Sequence, residues 1–167
     1  MKDITRRGAL ALGAGAAAML AGCGGKFMKY DGPAVTRVII HKSGRQMYLL
    51  NGRTALKKHA IQLGFTAHGP KRFEGDGRTP EGRYFIDRRN PNSAFYLSIG
   101  IDYPNAFDRA YAESLGKPPG GDIFIHGWGD KARGSNDWTA GCVAVTNQEM
   151  RHIYAMVRNG TPVDIYA

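Results

Sequence analysis

A histidine and a cysteine stand sixteen positions apart (142 − 126) in this chain. His126 lies in the step Ile125-His126-Gly127, and Cys142 in the run Asp137-Trp138-Thr139-Ala140-Gly141-Cys142-Val143-Ala144-Val145. A cysteine attacks carbon as its thiolate, usually produced by an imidazole within hydrogen-bond reach. The pair therefore points to nucleophilic chemistry on an acyl group. His126 ends the apolar run Ile123-Phe124-Ile125, and Gly127 and Gly129 mark a turn where backbone can approach a substrate. Gly141 gives the same freedom just before the thiol, so the Cys142 amide, with that of Gly141 beside it, is placed to meet an oxyanion. Thr139 is available to orient this turn or to donate a hydrogen bond. A free cysteine is often only a small buried hydrophobe, but the preceding glycine and the upstream histidine favour catalysis here.

The only other cysteine, Cys23, belongs to an N-terminal leader and leaves Cys142 without an internal disulfide partner. Lys2, Arg6 and Arg7 form a basic start, Ala9 to Leu20 an apolar stretch, and Leu20-Ala21-Gly22 a small-residue cleavage site, which together read as an export signal over residues 1–22. The apolar stretch is too short to span a bilayer. Leu20-Ala21-Gly22-Cys23 resembles a bacterial lipobox, which implies lipidation of Cys23 and a membrane anchor. Thr5-Arg6-Arg7 with Leu10 resembles a twin-arginine export signal, with Ala9 and Ala11 departing from that pattern. Gly24 is not the Asp of an inner-membrane retention signal, so the outer membrane, facing the periplasm, is favoured. Cleavage before Cys23 leaves 145 of the 167 residues (167 − 22), the size of one domain. Residues 23–34 then read as a tether and 35–167 as the catalytic domain. Loss of Lys2, Asp3, Arg6 and Arg7 takes the formal charge from +9 to +7. That surplus suits anionic wall polymer or phospholipid headgroups; no aromatic-basic signature of nucleic-acid binding accompanies it.

From Val35 onward the chain reads as mainly β with two helices. Expected strands are Arg37 to His41, Gln46 to Leu50, Leu56 to Leu63, Tyr84 to Asp87, Phe95 to Ile101, Asp122 to Ile125, Val143 to Val145 and Val163 to Tyr166. Short strands with turn-rich connections point to a sandwich or open barrel. One helix is expected from Thr146, where Thr146 and Glu149 form a capping box, Met150, Ile153, Tyr154 and Val157 share a face, and Gly160 supplies the stop. The other is expected between Pro104 and Leu115, with Phe107, Ala110, Tyr111 and Leu115 as a buried stripe.

His41, His59, His68 and His152 have no partner at metal-ligand spacing and read as surface or hydrogen-bonded histidines. His126 and Cys142 alone are too few for zinc, and nothing calls for a cofactor. Asp76, Glu81 and Asp122 lie in turn-rich segments and read as solvated or capping carboxylates. Trp138 either packs at the core edge or walls a substrate groove.

His126-Gly127 followed at this spacing by Thr139-Ala140-Gly141-Cys142-Val143 resembles the active-site signature of the L,D-transpeptidase (YkuD-type) catalytic family. Gly77-Arg78-Thr79-Pro80-Glu81-Gly82-Arg83-Tyr84 resembles the family's Thr-Pro-x-Gly turn and the strand after it, and nearly all of residues 35–167 can be placed on the family pattern. The resemblance implies an L,D-transpeptidase-like β-sandwich, peptidoglycan stem peptides as substrate, and acyl transfer through a cysteine thioester at the meso-diaminopimelate carbonyl. It assigns Cys142 as nucleophile, His126 as base and later acid, the Gly127 carbonyl to orient the imidazole, and the Gly141 and Cys142 amides to the oxyanion. Ala140 and Ala144 stand where the family often has His or Arg, and Arg or Asn. Substrate-carboxylate recognition then falls to Arg83, Lys131 or Arg133, which flank the motifs. The run from Asp137 to Asn147 resembles a Gram-negative periplasmic subgroup in which cleavage of wall linkages, including those to a wall-attached lipoprotein, is implied as well as formation. Papain-like enzymes place Cys before His, and sortases separate the pair much further. A lipid-tethered wall-binding protein without turnover is the non-enzymatic alternative.

Overall fold

The computed structural model describes residues 25–129 and 137–167. The leader, Cys23, Lys131 and Arg133 lie outside the described residues. Alternation builds the first strands: β1 (Arg37–His41) buries Val38 and Ile40, and β2 (Gln46–Asn51) buries Met47 and Leu49, with the intervening residues facing outward. β3 (Thr54–Ala60), β4 (Gly82–Asn90), β5 (Ser98–Ile101), α1 (Ala106–Ser114), β6 (Phe124–His126), β7 (Val143–Ala144), α2 (Asn147–Met156) and β8 (Pro162–Tyr166) follow.

All eight strands join one curled sheet in the order β3-β2-β1-β8-β4-β5-β6-β7. Pairing is antiparallel except between β1 and β8 and between β6 and β7. The curl turns on β4, whose first residues pair with β8 and whose last pair with β5, with a register shift between Ile86 and Arg88. An irregularity of this kind bends a strand and sharpens its twist.

The third strand ends at Ala60, short of the expected Leu63. Ile61 to Leu63 leave β3 and cross to the far end of the sheet, where Gln62 and Ala144 exchange both backbone hydrogen bonds (2.9 and 2.8 Å). Thr139 N–H donates to the Leu63 carbonyl (3.1 Å), and Phe65 N–H to that of Thr139 (2.8 Å). The chain after β3 thus closes the curl against β7.

Inside the curl, Leu63, Ile86, Leu97, Ile99, Ile125, Val143, Met150 and Ile153 form part of one continuous core. Thr146 caps α2 and Glu149 answers in the capping box, while Met150, Ile153 and Met156 bury its inner face. Tyr154 is only half-buried, under the Arg89 guanidinium. Gly160 is not the helix stop: Val157 is the C-cap in extended conformation, and Gly160 (φ 82°) lies in the turn leading into β8. α1 departs more. Only Ala112 is buried, and Phe107 (86% exposed), Tyr111 and Leu115 face solvent. The inner face of α1 is held by polar contacts, with Asn105 capping and Asp108 accepting from Tyr84 Oη (3.1 Å), so the aromatic stripe is left on the outside. Residues 26–33 lie against the domain rather than hanging free: Tyr30 packs on the core, and the Lys26 ammonium sits 5.5 Å from the Tyr96 ring.

Thr146→Ala removes the cap of α2 and is expected to cost about 1 kcal/mol. This would be read as a lower urea midpoint with an unchanged slope.

Candidate active site

β6 and β7 run parallel, with Ile125 opposite Val143 and His126 opposite Ala144. This register brings the end of one motif beside the start of the other, and His126 and Cys142 line the same cavity of about 430 Å³, together with Asn90, Ser93, Phe95, Ser98, Asp122 and Phe124. Cys142 is the free cysteine of the described residues. Its sulfur accepts from the Phe124 amide (3.4 Å) and lies 3.4 Å from the Asp122 carbonyl.

His126 is buried, and its Nδ1 lies 2.6 Å from the Gly127 carbonyl oxygen. A carbonyl only accepts, so Nδ1 carries the proton and the neutral ring keeps its lone pair on Nε2. Phe95 packs over the ring at 4.6 Å between centroids, and Trp138 meets it edge-on at 5.7 Å. The 127–129 turn is held by Asn147, whose Oδ1 accepts from the Gly129 amide (3.0 Å) and whose Nδ2 donates to the Gly129 carbonyl (3.1 Å). A Cβ at Gly127 would fall 2.6 Å from Asn147 Oδ1 and 2.8 Å from the Phe95 carbonyl, so the close approach demands glycine.

The thiol turn is tied at three points. Thr139 is buried; its hydroxyl donates to the Cys142 carbonyl (2.7 Å) and accepts from the Gly141 amide (3.2 Å). Both bonds stay within the turn, so Thr139 shapes it rather than reaching substrate, and the Gly141 amide is occupied. Asp137 accepts from Arg45 Nε (3.0 Å) and from the Leu63 amide (2.9 Å). Gly141 (φ 136°) lies so close to the next loop that a Cβ would meet the Arg78 carbonyl at 2.6 Å.

That loop is organised by Asp76, buried beside Lys71 (3.0 Å). Burial alone would raise the Asp76 carboxyl, but the Arg72, Arg78 and Phe73 amides and the Lys71 ammonium outweigh it and hold it below the usual carboxylate range. Asp76 is thus a capping carboxylate, though not a solvated one, and Glu81 pairs with the buried Lys42 (2.8 Å).

Arg83 is not brought to the thiol. Its guanidinium grips Asp164 (Nε–Oδ1 2.6 Å, Nη2–Oδ2 3.2 Å) and lines a different cavity beside α1. A larger cavity of about 760 Å³ touches Asp137 and Ala144 but not Cys142. Phe95, Asn147, Asp137 and Arg45 went unnoticed as site residues in the sequence. Asn147, next to a helix cap and aligned with a glycine turn, carried the most legible signal.

Burial sets the resting charge of both reactive groups. Desolvation lowers the His126 pKa, with the Gly127 hydrogen bond opposing it weakly. Desolvation also raises the Cys142 thiol. The Phe124 amide and the Lys71 and Arg88 charges pull it back, and the Asp122 charge adds to the rise. At neutral pH the pair therefore rests as thiol and neutral imidazole.

The fold and this arrangement define a class. The family described as the L,D-transpeptidase catalytic domain (YkuD) matches residues 35–165, and the chain belongs to it. Among individual relatives, it is 36% identical over 91 residues to the Escherichia coli (strain K12) protein named "Putative L,D-transpeptidase YafK", a match covering 53% of this chain and 32% of the relative. Among solved structures it resembles the helical cell shape determining protein Pgp2 of Campylobacter jejuni, at 27% identity and a TM-score of 0.63, over 81% of this chain and 49% of that one. L,D-transpeptidase 1 of Mycobacterium tuberculosis shares the fold at 11% identity and a TM-score of 0.50, over 80% of this chain and 62% of that one. The chain thus spans about a third of the E. coli relative and about half of Pgp2.

Alkylation at Cys142 by iodoacetamide, followed by peptide mass across pH, is expected to reach half-maximal rate above the ordinary thiol value of about 8.5. A midpoint near pH 6 would instead reveal a resting thiolate–imidazolium pair. For folding, a depressed His126 means that its contribution to stability is present above about pH 6.5 and is lost as pH falls through the lower folded value.

Proposed function

We propose that the domain is a cysteine acyltransferase acting on peptidoglycan stem peptides, with Cys142 attacking the carbonyl of meso-diaminopimelate and His126 moving the proton. The observation that carries this reading is the shared cavity of thiol and imidazole with Nδ1 committed to Gly127, which leaves Nε2 as the base. As sulfur bonds to the carbonyl carbon, the thiol proton passes to Nε2 and the carbonyl electrons move onto oxygen. With the Gly141 amide held by Thr139, the Cys142 amide is the backbone donor assigned to that oxyanion. Collapse breaks the carbon–nitrogen bond, His126 protonates the departing amine, and a thioester remains. An incoming nucleophile then loses its proton to His126, attacks the thioester, and the sulfur leaves and is reprotonated. An amine acceptor gives transpeptidation, water gives hydrolysis, and a lipoprotein lysine gives attachment or, in reverse, release.

A resting neutral pair suits this cycle, because the proton needs to move only when a carbonyl is in place. Trp138 and Phe95 exclude water from one side of the imidazole. Lys131 and Arg133 remain proposed carboxylate partners from outside the described residues. Exposure to a carbapenem, whose lactam carbonyl acylates a thiol, is expected to add one drug mass at Cys142 and none in Cys142→Ala. His126→Ala should keep its fold and slow acylation about 10²- to 10⁴-fold. Full adduct yield in Cys142→Ala removes the thiol from the mechanism, and wild-type rates in His126→Ala remove the base.

We also propose that the chain is exported and held on the periplasmic face of a membrane, the outer membrane favoured, through lipid on Cys23. Two acyl signals on one residue give stable anchoring. Cys23→Ser is expected to move the protein from the membrane to the soluble fraction on fractionation and immunoblotting, and unchanged membrane association would overturn the assignment.

A further inference from the structure

Ala140 and Ala144 offer a substrate carboxylate no charged side chain from the thiol's own segment, and among the described residues Arg83 is committed to Asp164. Asp122 nevertheless brings a charged pair to the edge of the cavity, since it lines the cavity and contacts Arg88, which lies outside the lining. Arg88, just past the register shift in β4, lies flat across β5 at Gly100, where a Cβ would fall 2.6 Å from Arg88 Cγ and 2.7 Å from Nε. Only glycine at that position lets the side chain take this course. The guanidinium then stacks over the Phe124 ring (4.5 Å to the centroid) and reaches Asp122, with Nη2 3.4 Å from Oδ1. Asp122 lines the cavity with Cys142, and its own carbonyl stands 3.4 Å from the sulfur.

A surface ion pair of this kind contributes only about 0–1 kcal/mol to stability. Its contact is long and the Asp122 side chain is 91% exposed, so the Asp122 carboxylate and the Nη2 edge of Arg88 remain open to a ligand, while Nη1 is paired with the Asp87 carboxylate. Arg88 is steadied by its other bonds, to Asp87 (2.7 Å) and to the Ile101 carbonyl (3.4 Å). A cation stacked on Phe124 and an anion that lines the thiol cavity are thus held side by side at the cavity's edge.

We propose that Arg88 and Asp122 are the subsite for the zwitterionic end of the acyl donor, with the guanidinium taking the free carboxylate of meso-diaminopimelate and the Asp122 carboxylate taking its free ammonium. This rests on the acyl-transfer reading above. Three methylenes separate the attacked centre of that residue from its zwitterionic end, so the second centre stays beside the thiol while the first is attacked. The Phe124 ring offers those methylenes an apolar surface. Arg88 and Asp122 recognise substrate and take no part in proton transfer.

The test compares two tetrapeptide donors, one with meso-diaminopimelate and one with the same residue amidated at its free carboxylate, on wild type, Arg88→Gln and Asp122→Asn. Release of the terminal residue is followed by mass, and carbapenem adduct formation on each preparation reports an intact thiol site. Arg88→Gln should lower kcat/KM for the acid donor about 10- to 100-fold, the range for a lost charged hydrogen bond, and leave the amidated donor within about twofold. Asp122→Asn should lower both donors, which share the ammonium. Equal loss on both donors in Arg88→Gln, or no loss on either, overturns the subsite while the acyl-transfer reading stands. Release from neither donor by wild type overturns that reading and the subsite with it.

Discussion

The site depends on the closure of the sheet, where the chain leaving β3 pairs with the thiol-bearing segment. Gln62 and Ala144 exchange hydrogen bonds, Thr139 is fixed between Leu63 and Phe65, and Asp137 takes the Leu63 amide while gripping Arg45 in the first hairpin turn. The sulfur is thereby held on framework rather than on a free loop, and its position relative to β6 follows from the parallel register of Ile125 with Val143. Packing reinforces this. Gly64 admits the Gly77 carbonyl at a point where a Cβ would lie 2.1 Å from it, and Gly141 admits the Arg78 carbonyl. The loop ordered by Asp76 and Lys71 therefore seats directly against the nucleophile's turn. Under the proposed function, Cys142 and His126 on a shared framework are the arrangement from which proximity contributes most to acyl transfer.

The electrostatics follow from the same burial. A thiol beside an imidazole is often read as an ion pair, but here desolvation acts on both partners against charge. The Phe124 amide and the Lys71 and Arg88 charges only moderate it. A thiol held in its neutral form is less open to oxidation than a thiolate, which is the vulnerable form.

Much of the fold was legible because its signals are local. The runs Arg37 to His41 and Gln46 to Leu50 marked the first two strands, and the Thr146/Glu149 box marked α2. Errors arose where tertiary context decides. The spaced apolar residues Leu56, Ala60, Ile61 and Leu63 hide a change of partner at Ile61, which only the closure of the sheet explains. Phe107, Tyr111 and Leu115 have helical spacing, yet the polar Asn105–Asp108–Tyr84 contacts turn that face outward. At the site, the His126 and Cys142 motifs were visible as residue types in order. The ring of Phe95, the Asn147 clamp and the lie of Arg88 across Gly100 were not, because each joins residues remote in sequence. Asp122 illustrates the limit: its carboxylate is solvated, as its turn position implies, but only the parallel β6–β7 register shows that it borders the thiol.

The central claim is that a substrate carbonyl becomes bonded to the Cys142 sulfur. Mass analysis of the chain quenched in acid during turnover of a diaminopimelate tetrapeptide tests it most directly. The account predicts a transient gain equal to the tripeptide acyl group, localised to the Cys142 peptide and discharged when an amine or water is allowed to react. Undiminished product formation with no adduct at any time, or an adduct on a different residue, would contradict it.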